Sequence, residues 1–383
     1  MPHQPLRIVD ANLNRSVEGL RVLEDVARFV LNDATLSQQL RSTRHSLAEV
    51  GESLGIILLE ERDSEHDVGG ENVIARPPSL ITSRPSVIAS PPPVIASRRR
   101  SNLNRQSYPD LASLVGANAN RVEESLRVLE ELAKLDELSS KLDAAKFEKV
   151  RFRLYSVEKE MVSRLTRQDK LKELTGLYVI VDRQVLGDRD ELEVAREVIQ
   201  GGAKVIQLRD KQRSMVELLP VAERLKELCL KAGILFIIND YLDLALAVDA
   251  DGLHIGYGEL PVHVARRELP AAKIIGSSVT TVSRAIEVGD EGADYISVGS
   301  MFPTESKEGA IVVGLDMLKQ VREAVSSPVV AIGGIDKSNV GEVIAAGADC
   351  VAVISAVLSK PDVKKATKGL VSEIRKAKKK CQG

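Results

Sequence analysis

Apolar positions along this chain change their period twice, and the changes divide it. Over residues 1–63, and again over 108–172, apolar residues recur at three- and four-residue spacing, which predicts amphipathic helices. Between them, residues 64–107 carry few large apolar side chains and much Pro, Ser and Arg. They include the near-repeat Pro85-Ser86-Val87-Ile88-Ala89-Ser90 and Pro92-Pro93-Val94-Ile95-Ala96-Ser97. Such a stretch reads as a flexible linker. Its cluster Arg98-Arg99-Arg100 could touch an acidic partner, but a solvated linker explains it as well. From residue 173 to 383, short apolar runs alternate with amphipathic stretches. The runs fall at 177–182, 205–210, 235–240, 252–256, 274–279, 295–301, 329–335 and 350–355, with helical stretches such as 190–200, 215–232 and 338–346 between them. Continuous apolar strands are those buried on both faces, and eight βα units in about 210 residues is the size of a TIM (β/α)8 barrel. A doubly wound sheet is the alternative, although no Gly-x-Gly-x-x-Gly follows the first run. The expected architecture is therefore α/β, a C-terminal TIM barrel preceded by a mainly α-helical domain in two halves.

The two helical halves are copies. Asp10-Ala11-Asn12-Leu13-Asn14-Arg15 returns as Gly116-Ala117-Asn118-Ala119-Asn120-Arg121, and Leu20-Arg21-Val22-Leu23-Glu24-Asp25 as Leu126-Arg127-Val128-Leu129-Glu130-Glu131. The stripe Leu20, Leu23, Ala27 and its copy need only packing to explain them. The other face carries Asn14, Glu18 and Arg21, matched by Asn120, Glu124 and Arg127, although the halves differ widely elsewhere. One reading makes the asparagines N-caps and the charges surface pairs. The other places two related helices across a pseudo-two-fold axis, lining one polar cleft.

Composition removes several function classes. A formal net charge of −2 exerts no global pull on nucleic acid or an anionic membrane, and the scarcity of aromatics argues against a base-stacking surface. No apolar run is long enough to span a bilayer, and no signal-peptide core is visible at the N-terminus. The three widely spaced cysteines suit a reducing cytoplasm and form neither a disulfide framework nor a zinc motif. Oligomeric state stays open, a homo-oligomer included.

In a barrel of this kind function gathers at the C-terminal strand ends. There the second run presents Gln207, Arg209 and Lys211 at period two, aimed at one anion. The third ends in Asn239-Asp240; the fourth passes His254 to Gly256 and reaches Glu259; the fifth ends in Ser277-Ser278. The sixth leads to Thr304-Glu305-Ser306-Lys307, the seventh to Gly333-Gly334, the eighth to Ile354-Ser355. Asp240 and Glu259 are hard oxygen ligands suited to Mg²⁺, with an N-cap as the alternative for Asp240. Arg209, Lys211 and Lys307 make a cationic pocket. The glycines and Ile354-Ser355 offer backbone N–H groups to a second phosphate, unless the glycines serve only the turn. His254 reads as a core-edge histidine, and no Ser-His-Asp or Cys-His arrangement is visible. The pattern suits a reaction driven by stabilising a departing pyrophosphate.

At these residues the chain resembles thiamine-phosphate synthase. The Gln-Leu-Arg-x-Lys strand end, Asn239-Asp240, Ala250-Asp251-Gly252-Leu253-His254-Ile255-Gly256, Pro303-Thr304-Glu305-Ser306-Lys307 and Ala331-Ile332-Gly333-Gly334-Ile335 follow its pattern in order over about 175–375. The resemblance implies joining 4-amino-5-hydroxymethyl-2-methylpyrimidine diphosphate to a thiazole phosphate, with pyrophosphate leaving first. It implies that Gln207, Arg209, Lys211, Asn239, Ser278 and Lys307 hold the diphosphate substrate, with Arg209, Lys211, Ser278 and Lys307 catalytic. Asp240 and Glu259 would hold Mg²⁺, and Thr304, Ser306, Gly334, Ile354 and Ser355 the thiazole phosphate. Two departures stand out: Tyr257-Gly258-Glu259 where the family usually has Gln-Glu-Asp, and Thr280-Thr281 for the usual His-Thr. The helical repeat resembles the module fused to this synthase in some bacteria, which implies a hydroxymethylpyrimidine phosphate kinase using ATP, although neither a P-loop nor a kinase Gly-rich loop is present. A non-catalytic structural or dimerisation module, or a tautomerase-like barrel that binds thiazole phosphate without coupling, are the alternatives.

Overall fold

Strict alternation along each strand decides what the barrel holds. In the computed structural model, which describes residues 4–60, 107–304, 309 and 311–382, the strands are β1 (Gly176–Asp182), β2 (Val205–Arg209), β3 (Leu235–Asn239), β4 (Gly252–Ile255), β5 (Ile274–Val279), β6 (Tyr295–Gly299), β7 (Val329–Ile332) and β8 (Cys350–Val353). Each pairs in parallel with its sequence neighbour, and β8 closes on β1. Closure disposes of the doubly wound alternative. Tyr178, Ile180, Val205, Leu235, Ile237, Ile274, Tyr295, Val330, Cys350 and Ala352 cluster inside. Their neighbours, Val179, Val181, Ile206, Leu208, Phe236 and Ile238 among them, pack outward on the helices. Several expected strands overrun their C-terminal ends, because the chain leaves the ladder in positive-φ turns: Asp240 at 62°, Gly333 at 100° and Gly334 at 63°.

The opposite rim uses one device three times. Asp251, Asp294 and Asp349, each preceded by alanine, accept the backbone N–H of Phe236, Ile275 and Val329 at 3.1, 2.8 and 2.8 Å. Each also pairs with a cation from a preceding helix, Lys226, Arg266 and Arg322 respectively. Bonding a strand start and a helix at once ties each βα unit to the next.

Among the described residues four helices come first: α1 (Gln4–Phe29), α2 (Ala34–Glu60), α3 (Leu111–Leu132) and α4 (Ala144–Glu173). The chain divides into two compact units, Met1–Val162 and Ser163–Gly383, ten residues before the boundary expected at 172/173. The end of α4 goes with the barrel because Arg167 pairs with Asp294 (3.4 Å), Lys170 with Asp251 (3.2 Å), and Leu171 packs on the inner cluster. Residues 64–106 of the expected linker lie outside the described residues.

The helical unit repeats itself in detail. Asn12 and Asn118 each donate to the carbonyl four residues earlier, both at 2.8 Å. Glu24 pairs with Arg44 at 2.8 Å, and its copy Glu130 with Arg151 at 3.1 Å. Leu40, Leu47 and Leu54 of α2 are buried at seven-residue spacing, as are Phe147, Leu154 and Met161 of α4. Glycine lets α1 and α3 approach: a Cβ on Gly19 would stand 2.5 Å from Val122 Cγ2.

Candidate active site

Register between β1 and β2 sets Asp182 opposite Arg209. The buried Asp182 carboxylate accepts from the Arg209 guanidinium, and its other oxygen caps the next turn through the Gln184 N–H at 2.9 Å. One pleat deeper on the same face, Gln207 is only 1 % exposed. Its Nε2 donates to the Tyr178 hydroxyl at 2.7 Å, while its Oε1 is buried without a partner.

Tyr178 begins a chain of hydrogen bonds through the barrel interior. Its hydroxyl meets that of Tyr295 at 3.2 Å, Tyr295 meets His254 Nδ1 at 3.1 Å, and His254 Nε2 meets Ser278 Oγ at 2.9 Å. Gly276 makes the space: a Cβ there would lie 1.9 Å from Tyr295 Cζ. Burial raises the pKa of both phenols, so both stay protonated. With the Gln207 amide leading, one direction of donation is consistent: Tyr178 to Tyr295, Tyr295 to His254 Nδ1, His254 Nε2–H to Ser278. That leaves the Ser278 hydrogen to be donated towards the barrel mouth. The sequence shows no Ser-His arrangement because its members lie 24 residues apart; the fold makes one. It is not a nucleophilic triad. The group behind His254 is a neutral phenol, which does not stabilise an imidazolium as a carboxylate would. The thiols of Cys229 and Cys350 are likewise inert, pushed up by burial to about 12.

Above this floor three loops meet. Lys211 Nζ donates to Glu259 Oε1 at 2.8 Å and lies 3.1 Å from Asp240 Oδ2, so both carboxylates reach one point. Those contacts, the Glu259 hydrogen bond foremost, raise the lysine pKa. Asp240 is no N-cap: its Oδ1 accepts from the Gly256 N–H at 2.8 Å and its Oδ2 from Asn239 Nδ2 at 2.6 Å. Gly256 keeps the gap open, since a Cβ would come within 3.2 Å of Asp240 Oδ1 and 3.4 Å of Glu259 Cγ. Two convergent carboxylates already holding a cation fit Mg²⁺, which takes few protein ligands and completes its shell with water and phosphate oxygens. No group of three or more metal-type side chains occurs among the described residues.

The Lys211 loop is rigid at its base. The Asp210 carboxylate accepts from Gln212 N–H (2.7 Å), Arg213 N–H (3.1 Å) and Arg213 Nε (2.5 Å). Burial works to raise the Asp210 pKa, but these bonds outweigh it and the net shift is downward. Arg213 reaches on to Glu191 at 2.5 Å, which also takes Arg183 at 3.2 Å. Across the mouth, Gly333 and Gly334 face the loop after β6 so closely that Cβ atoms would meet Ser300 Oγ at 2.0 Å and Pro303 O at 2.5 Å. Turn and close approach alone therefore explain both glycines. Thr304, Ile354 and Ser355 lie at the same rim, and Thr281 caps the helix Val282–Asp290 through the Arg284 N–H at 3.2 Å. Ser306 and Lys307 lie outside the described residues.

In the helical unit, Asn14, Glu18, Arg21, Asn120, Glu124 and Arg127 are all exposed. Neither asparagine is an N-cap, since both sit inside helices. Arg127 pairs along its own helix with Glu130 (3.2 Å) and Glu131 (3.1 Å). A cluster that sequence reading passes over joins α3 to α4: Glu123 hydrogen-bonds Glu158, and burial, then repulsion from Glu158, pushes Glu123 up to about 7. The matching positions in the first half are Val17 and Gly51, so the halves differ here. Also missed are Asp182, a strand-end acid the barrel rule would have found, and the Tyr178–Tyr295 pair, 117 residues apart with no local signal.

Comparison with known proteins identifies the family of both units. A profile of the family described as thiamine monophosphate synthase matches residues 177–357, and one described as the ThiD2 family matches 7–84 and 96–160. The thiamine-phosphate synthase of Synechocystis sp. is 35% identical over 369 residues, 96% of each chain. That of Methanocella arvoryzae is 51% identical over 195 residues, 51% of this chain and 92% of its own. The structure of thiamine phosphate pyrophosphorylase from Pyrococcus furiosus superposes with a TM-score of 0.50 at 42% identity, covering 54% of this chain and 98% of that one. Likeness at 35% identity along 96% of the chain, with the family profile on the barrel, shows that the chain belongs to the thiamine-phosphate synthase family.

Proposed function

We propose that the barrel joins the pyrimidine diphosphate to the thiazole phosphate by a dissociative route, and that its own residues act mainly on the departing pyrophosphate. The carrying observation is Gln207 Oε1, a buried acceptor without a partner in an apolar interior. An orphaned acceptor is costly unless a ligand donor meets it, and the 4-amino group of the pyrimidine is such a donor. Ser278 supplies a complementary donor on the same floor. Two residues above Gln207, Arg209 is held by Asp182 at the height of the diphosphate, with Lys211 beside it. Mg²⁺ on Asp240 and Glu259 would neutralise charge developing on the leaving group. The amides of Gly334, Ile354 and Ser355, with the Thr304 hydroxyl, would hold the thiazole phosphate.

Gln207→Leu tests this in the full chain. Its KM for the pyrimidine diphosphate should rise about ten- to a hundredfold, as expected when a polar ligand faces an apolar wall, with the KM for thiazole phosphate unchanged. Equal effects on both, or none, would refute the placement.

For the helical unit the proposal is phosphorylation of the pyrimidine monophosphate with ATP, supported by the ThiD2 match and its fusion to a consumer of the diphosphate. With thiazole phosphate omitted, the barrel cannot consume that product, so phosphorus NMR of full chain, ATP, Mg²⁺ and monophosphate should show diphosphate accumulating. Its absence would favour a structural module.

A further inference from the structure

Lys211 stands where the family resemblance puts a metal. Its ammonium shares Glu259 Oε1 at 2.8 Å and Asp240 Oδ2 at 3.1 Å, in the gap that Gly256 keeps free of a side chain. A divalent cation needs those same oxygens, and an ammonium cannot remain within hydrogen-bond distance of them beside it. Only the head of the lysine has to move. Its loop is pinned through the fully buried Asp210 carboxylate and Arg213, whereas its own side chain is 48% exposed on a flexible four-carbon stem.

Resting on the active-site reading above, we propose that Lys211 is an exchangeable counter-ion. It neutralises Asp240 and Glu259 until a divalent cation displaces it, and the released ammonium is then taken up by the diphosphate alongside Arg209. Metal alone must break two ion pairs without replacing them. Metal with diphosphate gives the lysine a new partner, so the two ligands bind with positive coupling and, by linkage, each tightens the other equally. The device would favour loading the metal and the diphosphate together, so that the carboxylates are not left to repel the anion.

The test is binding of Mn²⁺ alone to the full chain, read by the electron paramagnetic resonance of free Mn²⁺ and by calorimetry. Removing the competing ammonium in Lys211→Met should tighten Mn²⁺ about tenfold, while Lys211→Arg should stay near wild type. Turnover of Lys211→Met should fall all the same, since the diphosphate loses a cation. Affinity and activity moving in opposite directions is a result that a merely structural lysine does not give. Unchanged or weaker Mn²⁺ binding in Lys211→Met, with Asp240→Asn losing it, would overturn the exchange while leaving the metal site intact. Unaltered Mn²⁺ binding in Asp240→Asn would overturn the metal site itself, and the proposal with it.

Discussion

Tyr295→Phe removes one oxygen from the middle of the buried chain and leaves the ring in place. Tyr295 is fully buried and its hydroxyl touches both Tyr178 and His254 Nδ1, so the change takes away two hydrogen bonds in an apolar interior. Depriving a buried polar group of its partner costs about 1–3 kcal/mol. For a unit of this size each kcal/mol lowers the melting temperature by about 2–4 °C, so the barrel transition should fall by about 2–12 °C. The functional effect is separable. With Nδ1 no longer accepting from the phenol, His254 is free to take the other tautomer, and Ser278 then spends its hydrogen on Nε2 instead of the mouth. Turnover should drop about tenfold, or 1.4 kcal/mol. A double-mutant cycle with Ser278→Ala decides whether the route is the stated one. If Tyr295 acts through His254 on Ser278, the double variant turns over no more slowly than Ser278→Ala alone. Losses that multiply, or a Tyr295→Phe protein as stable and active as wild type, would refute the reasoning.

Two further expectations come from charged groups. Asp182→Asn keeps the volume and the bond from Gln184 but takes the charge from behind Arg209. It should raise the KM for the pyrimidine diphosphate about tenfold, the difference between a charge-assisted and a neutral hydrogen bond; a matching rise for the thiazole phosphate in steady-state assays would contradict the assignment. In the helical unit, the Glu123 carboxyl titrates at about 7 when folded, against an ordinary glutamate when unfolded. The folded state therefore binds the proton more tightly, and this contribution to stability, present in full below about pH 4.5, is lost as pH rises through 7. Partial exposure and solvent screening reduce the effect to about 1–2 kcal/mol. Glu123→Gln should unfold at higher denaturant concentration than wild type at pH 8 but not at pH 5, and parallel stability at both would sink it.

Strand and helix positions were legible because a parallel barrel buries its strands on both faces, leaving unbroken apolar runs such as Leu177-Tyr178-Val179-Ile180-Val181 and Phe236-Ile237-Ile238 between amphipathic stretches. Strand ends were legible for a related reason, since period two makes Gln207 and Arg209 share a face whatever surrounds them. What surrounds them was not legible. Asp182 reaches Arg209 through barrel register, and Tyr295 reaches Tyr178 only because Gly276 clears the ring. The helical repeat was legible as a duplication, but its buried polar side was not. Its repeated polar face is exposed, and what lies buried between helices is the less conspicuous Asn12, Ser16, Asn118 and Ser125. Periodicity locates a face but does not say which of two polar faces a neighbour will cover.

The acids at the two ends of the barrel look alike in sequence and do different work. Asp251, Asp294 and Asp349 bind a backbone N–H of the neighbouring strand and a helix cation together, so moving the cation would also disturb the ladder. Asp210 follows the same logic within its own loop, and it fixes the stem of the site. Asp240 and Glu259 break the pattern. Asp240 takes its backbone bond from the Gly256 turn, beyond the end of β4, and Glu259 takes none that would be lost with the lysine. A pair whose partner can leave without unzipping a strand is the one suited to a ligand that must come and go. By that criterion the exchangeable charge in this barrel is Lys211, while Arg209, backed by the buried Asp182, is the fixed one.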